Sequence, residues 1–277
     1  MSKLEEYFEQ FNNMDFPLYT LTEQAVRNSY QALVNNEDPK PRSNTAIEIV
    51  TSAHPSVWTC NVFKHKSPAE AWYIPELLYK TIANRLKYIG EDLTPKDIIH
   101  GFSVTKVAPR VSLFRPALAK YLVNKYLSDC NTIFDPCSGF SGRMLGVCSL
   151  GKHYIGQDCN WVTIQESTSL RDQLKLNAEL TCTNSIYDKG SYECLFTCPP
   201  YMNKTGDMVE IWNEEIEPLS EDEWIDTCLA NFACKKYLFV VGNTEKYSDY
   251  IVETLSNKSH FSNKNEFVIY IDKNKAK

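Results

Sequence analysis

Two short runs carry the residue types that chemistry needs. In Thr197-Cys198-Pro199-Pro200-Tyr201 two prolines follow an apolar stretch directly. Neither proline has an N–H, so the run ends a strand in a rigid turn and offers carbonyl oxygens with few competing donors. An exocyclic amine donates two hydrogen bonds and needs such acceptors, and Tyr201 adds an aromatic face for a planar base. Asp135-Pro136-Cys137-Ser138-Gly139-Phe140-Ser141-Gly142-Arg143 sets two glycines three apart after another apolar stretch. That spacing lets backbone pass close to a ligand and presents the first amides of a following helix to it. Asp158 closes Tyr154-Ile155-Gly156-Gln157-Asp158, 23 residues after Asp135, where nucleotide-type folds grip a ribose diol. Each run alone also reads as a plain strand-ending turn. Their order, with two strand–helix units between them, argues against that reading.

The elements that must hold these runs are legible as alternating texture. Strands are expected at 132–134, 154–156, 181–183, 195–197, 237–241 and 267–271, with helices near 142–150, 161–178, 221–234 and 246–256. Such alternation predicts an α/β fold, a mostly parallel sheet with helices on both faces and ligands beyond the carboxyl ends of its strands. Residues 1 to about 110 read instead as irregular structure with short helices. Ser67-Pro68-Ala69-Glu70 and Thr94-Pro95-Lys96-Asp97 carry helix-start signals. Leu78, Ile82, Leu86 and Ile89 form one apolar helix face before Gly90, and a further helix runs from about Pro116 through Tyr126. The expected division is an N-terminal helical or irregular region, 1–101, and a catalytic domain, 102–277.

Composition narrows the class. The chain has 277 residues, 43% hydrophobic and 23% charged, and no apolar run of about 18 residues that would span a membrane. The opening MSKLEEYFEQ is acidic and lacks an apolar core, so no secretory leader is read there and a cytoplasmic location is expected. The ten cysteines contain no CxxC pair, and the five histidines are scattered. No metal site is therefore supported, and reduced, mostly buried thiols are expected. The net charge of −6 argues against coating nucleic acid by bulk electrostatics. Its distribution is uneven: 40–127 holds 13 Lys/Arg against 6 Asp/Glu, whereas 207–226 holds nine Asp/Glu and no Lys/Arg. The acidic stretch reads equally as a flap, a helix start at Ser220, or a surface for a homodimer or another protein partner.

Together the two runs resemble the S-adenosylmethionine-dependent DNA amino-methyltransferases, the N6-adenine and N4-cytosine enzymes. Asp135 to Arg143 is similar to their cofactor loop, D-P-F-x-G-S-G, with Cys137 in the phenylalanine place and Phe140-Ser141 lengthening the gap between glycines by one residue. Thr197 to Tyr201 looks like their catalytic turn, D/N/S-P-P-Y/W. Ser112-Leu113-Phe114-Arg115-Pro116 resembles the segment that closes over the methionine end, and Asn184-Ser185 sits where the family contacts the cofactor's adenine. The resemblance covers roughly residues 102–272. The stretch 54–72 and the ending 257–261 also look like methylases often carried by phages, with restriction–modification as the associated setting.

The resemblance implies a Rossmann-like methyltransferase fold with a seven-stranded-type sheet, S-adenosylmethionine as methyl donor and S-adenosylhomocysteine as product. It assigns catalysis to Cys198, Pro199, Pro200 and Tyr201. Cofactor binding falls to Phe114, Arg115, Pro116, Asp135, Cys137, Ser138, Gly139, Phe140, Ser141, Gly142, Arg143, Asp158, Asn184 and Ser185. The amine nitrogen of an extruded base attacks the methyl in line, with neither metal nor general-base histidine required. Adenine is slightly favoured over cytosine. Cys198 departs from the family pattern, because a thiol is a poor acceptor and more of the polarisation then rests on the Pro199 carbonyl. DNA recognition is expected from the N-terminal third, with Lys64, Lys66, Arg85, Lys87, Lys106 and Arg110 as candidate phosphate contacts, two or three of them in use. Alternatives are a methyltransferase acting on RNA or on a protein glutamine amide, and a non-catalytic binding protein with a degenerate methyltransferase fold.

Overall fold

The computed structural model describes residues 1–62, 64–200, 210–211, 219–259 and 262–275. Its helices are α1 (Lys3–Asn12), α2 (Glu23–Asn35), α3 (Ile47–Ala53), α4 (Pro68–Trp72), α5 (Pro75–Ile89), α6 (Pro95–Val104), α7 (Pro116–Tyr126), α8 (Gly142–Cys148), α9 (Trp161–Leu174) and α10 (Glu221–Asn231). Its strands are β1 (Asn61–Val62), β2 (Thr132–Asp135), β3 (His153–Asp158), β4 (Ala178–Cys182), β5 (Gly190–Ser191), β6 (Cys194–Thr197), β7 (Glu210–Ile211), β8 (Phe232–Ala233), β9 (Lys236–Val241), β10 (Ile251–Ser259) and β11 (Ser262–Asp272). The chain divides into two units.

One unit comprises Met1–Tyr19, Pro55–Ser112 and Val209–Trp212. Its helices start where local chemistry dictates. Ser2, Ser67 and Thr94 each accept from the third helical amide while Glu5, Glu70 and Asp97 reach back, completing three capping boxes. Gly90, at φ +110, ends α5 in a conformation that L side chains rarely adopt. The apolar faces of these helices meet in a core of Phe11, Trp72, Leu78, Ile82, Ile98 and Phe102. Ile89, expected on that face, is exposed.

The other unit comprises Thr20–His54, Leu113–Met208 and Asn213–Lys277. Its seven-stranded sheet has the order β4-β3-β2-β6-β9-β11-β10. β2, β3, β4, β6 and β9 run parallel, and β11 and β10 are antiparallel additions at one edge. This is the expected α/β, Rossmann-like sheet with helices between its strands. β6 and β9 are nearly continuous apolar runs, as strands covered on both faces must be. Residues 20–54 also pack here: buried Lys120 donates to the Leu33 and Val34 carbonyls at 2.7 and 2.9 Å, capping the end of α2.

Two expectations fail in this unit. Residues 246–256 do not form a helix but a 3-10 turn, Ser248–Tyr250, followed by β10. Ile251, Val252 and Thr254 are β-branched, and the register against β11 satisfies the backbone as a sheet edge instead. Cys130 and Cys194 are joined in a disulfide rather than reduced, with Cα atoms 6.5 Å apart, because adjacent β2 and β6 bring their starts together. The other eight cysteines are unbridged.

Candidate active site

The two sequence runs meet at the carboxyl edge of the sheet, where β2 has β3 on one side and β6 on the other. An open α/β sheet leaves its ligand crevice at such a switch point. Asp135, the last residue of β2, is fully buried there. Its Oδ2 accepts from Arg143 Nε at 2.6 Å and from the Tyr154 hydroxyl at 2.7 Å. Its Oδ1 accepts from Thr197 Oγ1 at 2.7 Å and from the Cys137 amide at 3.2 Å. One carboxylate thus ties the end of β2 to the end of β6 and, through the long Tyr154 side chain, to the start of β3, and any role it has in the site runs through the loop it shapes.

Arg143 is 4% exposed and is the counter-charge. Burial opposes its charged form, but Asp135 and then Cys198 more than offset that and hold it above an ordinary arginine. A second guanidinium nitrogen donates to the Cys137 carbonyl, and the group lies 5.0 Å from the centre of the Phe114 ring. Phe114 in turn packs edge-on against Phe196 of β6 at 5.8 Å. Gly142 makes this closeness possible, since a Cβ there would lie 1.9 Å from the Phe114 carbonyl oxygen. Arg115 donates to the Pro41 carbonyl at 3.3 Å, and Pro116 is buried at the start of α7.

The loop itself is pinned at several points. Ser138 N donates to the Gln157 carbonyl at 2.8 Å, and Gly139 N donates to Asp158 Oδ2 at 2.9 Å. Asn160 N donates to Asp158 Oδ1 at 3.0 Å. Burial raises the pKa of the Asp158 carboxyl while the Asn160 and Gly139 amides pull it down; the net direction is upward. Gly139 sits at φ +55, and a Cβ on it would find only the Cys137 carbonyl, 3.9 Å away, so the space beside it is open. Phe140 and Ser141 turn inward, at 5% and 1% exposure. Two buried acceptors beside this loop, Ser138 Oγ and Gln157 Oε1, have no partner among the described residues. Asn184 Oδ1 accepts from Ile186 N at 3.2 Å, and the Ser185 hydroxyl donates to the Pro136 carbonyl, tying the turn after β4 to the loop.

On the β6 side, Pro199 is buried, while Cys198 and Pro200 are half-buried. Tyr201 lies outside the described residues, as do 207–209 and 212–218 of the acidic stretch. The last part of that stretch, 221–226, has an internal explanation. Ser220 caps α10 with Glu223, Asp222 accepts from Thr244 Oγ1, Glu245 N and Lys246 N, and Asp226 pairs with Lys246 at 2.6 Å. These acids neutralise a helix start and hold the loop after β9.

The candidate phosphate contacts all belong to the helical unit. Lys64, Lys66, Lys87, Lys106 and Arg110 are exposed. Lys66 pairs with Glu70 at 3.2 Å, and the Arg110 guanidinium lies 5.5 Å from the centre of the Trp58 ring. Arg85 is a correction: it is 8% exposed and lies across Gly101, where its Cδ would be 2.8 Å from an added Cβ. Its position on the apolar side of α5 removes it from a phosphate-contacting surface. The unit holds nine Lys/Arg against ten Asp/Glu, because Lys40, Arg42, Arg115, Lys120 and Lys125 of the basic 40–127 stretch lie in the other unit while Glu5, Glu6, Glu9 and Asp15 join this one.

Sequence reasoning missed five buried residues at or behind this loop: Tyr154, Gln157 and Thr197, and His54 and Ser167, which hydrogen-bond to Ser141. Tyr154, Gln157 and Thr197 carried one usable signal, their place at or near strand ends beside the motifs. His54 and Ser167 carried none.

No protein-family model matches this chain, and no curated protein does. Among solved structures it is similar to a candidate methyltransferase of Escherichia coli, with 14% identity over 56% of this chain and 85% of that one, at a TM-score of 0.41. A candidate RNA methyltransferase of Pyrococcus horikoshii gives 8% identity, 57% and 82% coverage and a TM-score of 0.42. Magnesium protoporphyrin IX methyltransferase of Synechocystis, with S-adenosylmethionine bound, gives 10% identity, 68% and 89% coverage and 0.41. At these scores the likenesses carry no argument about what this chain acts on.

Proposed function

We propose that this chain moves a methyl group from S-adenosylmethionine to the exocyclic amine of a base in DNA, N6 of adenine before N4 of cytosine. The observation that supports it is the link between the two runs: Asp135, at the root of the glycine loop, accepts from Thr197, the residue before Cys198-Pro199-Pro200, at 2.7 Å. One rigid strand-end pair therefore sets the distance between a cofactor-type loop and an amine-accepting turn. The methyl donor fits the loop on this chain's own features. The open side of Gly139 admits it, and Asp158 keeps lone pairs for a ribose diol beyond those its two amides use. The orphaned Ser138 Oγ and Gln157 Oε1 await polar partners. When bound, that group supplies an electrophilic methyl on a sulfonium.

The chain's residues then act by orientation. The Pro199 carbonyl, in a turn with few N–H competitors, accepts from the target amine and leaves electron density on its nitrogen. Cys198 is a weak second acceptor, next to the positive field of Arg143. Phe114, braced between Arg143 and Phe196, shields the loop from water. Tyr201 receives the flat face of the base. Substrate recognition belongs in this proposal to the N-terminal region, 1–101, through Lys64, Lys66 and Lys87, and to Lys106 and Arg110 just beyond it.

A second reading has a specific observation behind it. The helical unit has nearly balanced charge, which suits a protein glutamine amide better than a polyanion. Tritiated methyl transfer to unmethylated duplex DNA, to RNA and to a protein extract separates the readings. Label in DNA that is retained after nuclease digestion as N6-methyladenine or N4-methylcytosine is the expected result, and label confined to protein would replace it with the amide reading.

A further inference from the structure

The glycine loop is longer by one residue than the D-P-F-x-G-S-G pattern it resembles, and the added length is held from behind. Ser141 takes the left-handed conformation at φ +61, which L side chains rarely adopt, and it is 1% exposed. Its Oγ donates to Ser167 Oγ on α9 at 2.7 Å and lies 3.1 Å from His54 Nε2. His54 follows α3, is fully buried, and lies 3.1 Å from Ser167 Oγ as well. Its Nδ1 faces the Val50 carbonyl at 2.9 Å. A carbonyl only accepts, so Nδ1 carries the proton and Nε2 is an acceptor. Ser141 has one hydroxyl proton and directs it to Ser167, which leaves the Ser167 proton for His54 Nε2. Every donor in the triad is used, in one direction. The Phe140 ring packs edge-on against the imidazole at 5.6 Å, so both residues between the glycines are gripped.

We propose that His54, Ser141 and Ser167 form a clamp that fixes the lengthened loop in its cofactor-binding form. They are positioning residues, acting through Gly139, whose amide must face Asp158. The inference rests on the function proposed above, because it treats the loop as the S-adenosylmethionine site. Nothing in the sequence links the three residues, which lie 87 and 26 positions apart along the chain.

Ser141→Gly separates the clamp from mere structural support. Glycine adopts φ +61 without strain, which offsets the lost buried hydrogen bond, so the melting temperature should change little, whereas the lost anchor should weaken S-adenosylhomocysteine binding about tenfold or more. Stability and affinity moving apart is a result that a purely structural serine does not give. Ser167→Ala, which removes the same anchor from its other end, should weaken binding similarly. Hydrogen exchange at amides 138–142 should be faster in both variants than in the unaltered chain. Calorimetry with S-adenosylhomocysteine is the deciding measurement. Unchanged affinity in a folded Ser141→Gly variant overturns the clamp while leaving the proposed function standing. Absence of binding by the unaltered chain overturns both.

Discussion

At the residue scale, the site depends on a few groups whose environments set what they can do. Asp158 combines a free face with two amide donors, so Asp158→Ala should remove charge-assisted bonds worth about 1.5–3 kcal/mol and weaken cofactor affinity roughly 10- to 150-fold. Calorimetry on the folded variant measures this directly. A thiol is a weaker acceptor than the hydroxyl of a similarly shaped serine, so Cys198→Ser should keep or raise single-turnover methylation. A folded, cofactor-binding but inactive Cys198→Ser variant would overturn the acceptor role. His54 makes a pH prediction. Burial, opposed by the Val50 carbonyl, lowers its pKa from 6.5 to about 4. The unfolded chain therefore binds the extra proton first as pH falls. The His54 contribution is fully present above about pH 6.5 and is lost progressively toward pH 4, a change of roughly 3 kcal/mol. Urea midpoints at pH 7 and 4.5 should fall further in the unaltered chain than in His54→Gln, which has no such group.

At the element scale, the decisive contact is the one between strand ends. Thr197 closes β6 and donates to Asp135 at the end of β2, so the two motif-bearing turns share one rigid frame. Thr197→Val keeps the shape and leaves a buried carboxylate oxygen short of a donor. Stability should fall by about 2 kcal/mol, and methyl transfer should fall more than cofactor affinity does, because the turn and not the loop is released. Denaturant unfolding and single-turnover assays test the two parts separately. The same scale explains an acidic run that composition alone leaves open. Glu221, Asp222 and Glu223 serve the start of α10 and the 243–246 loop, so this part of the stretch is engaged within the chain.

At the scale of the whole molecule, charge balance bears on the substrate. A duplex reader with two or three phosphate contacts should show a slope of log K against log salt of about −2 to −3. Filter binding between 50 and 200 mM salt gives that slope; a value near zero would leave the exposed lysines as ordinary surface charge. The sequence by itself determined the parallel sheet, six of its strands, the capped helices α4 and α6, and the two turns at strand ends, because period, proline, glycine and cap chemistry are local. It did not determine the long antiparallel edge strand β10, whose β-branched residues suit a strand but whose pairing depends on β11 lying beside it. Nor could it place Arg85 inside, since burial depends on what packs over α5. The Asp135 hub and the His54–Ser141–Ser167 triad were decided by tertiary structure alone. Each is assembled from segments far apart in the chain, and a buried hydrogen bond between such segments leaves no periodicity or spacing in the sequence to read.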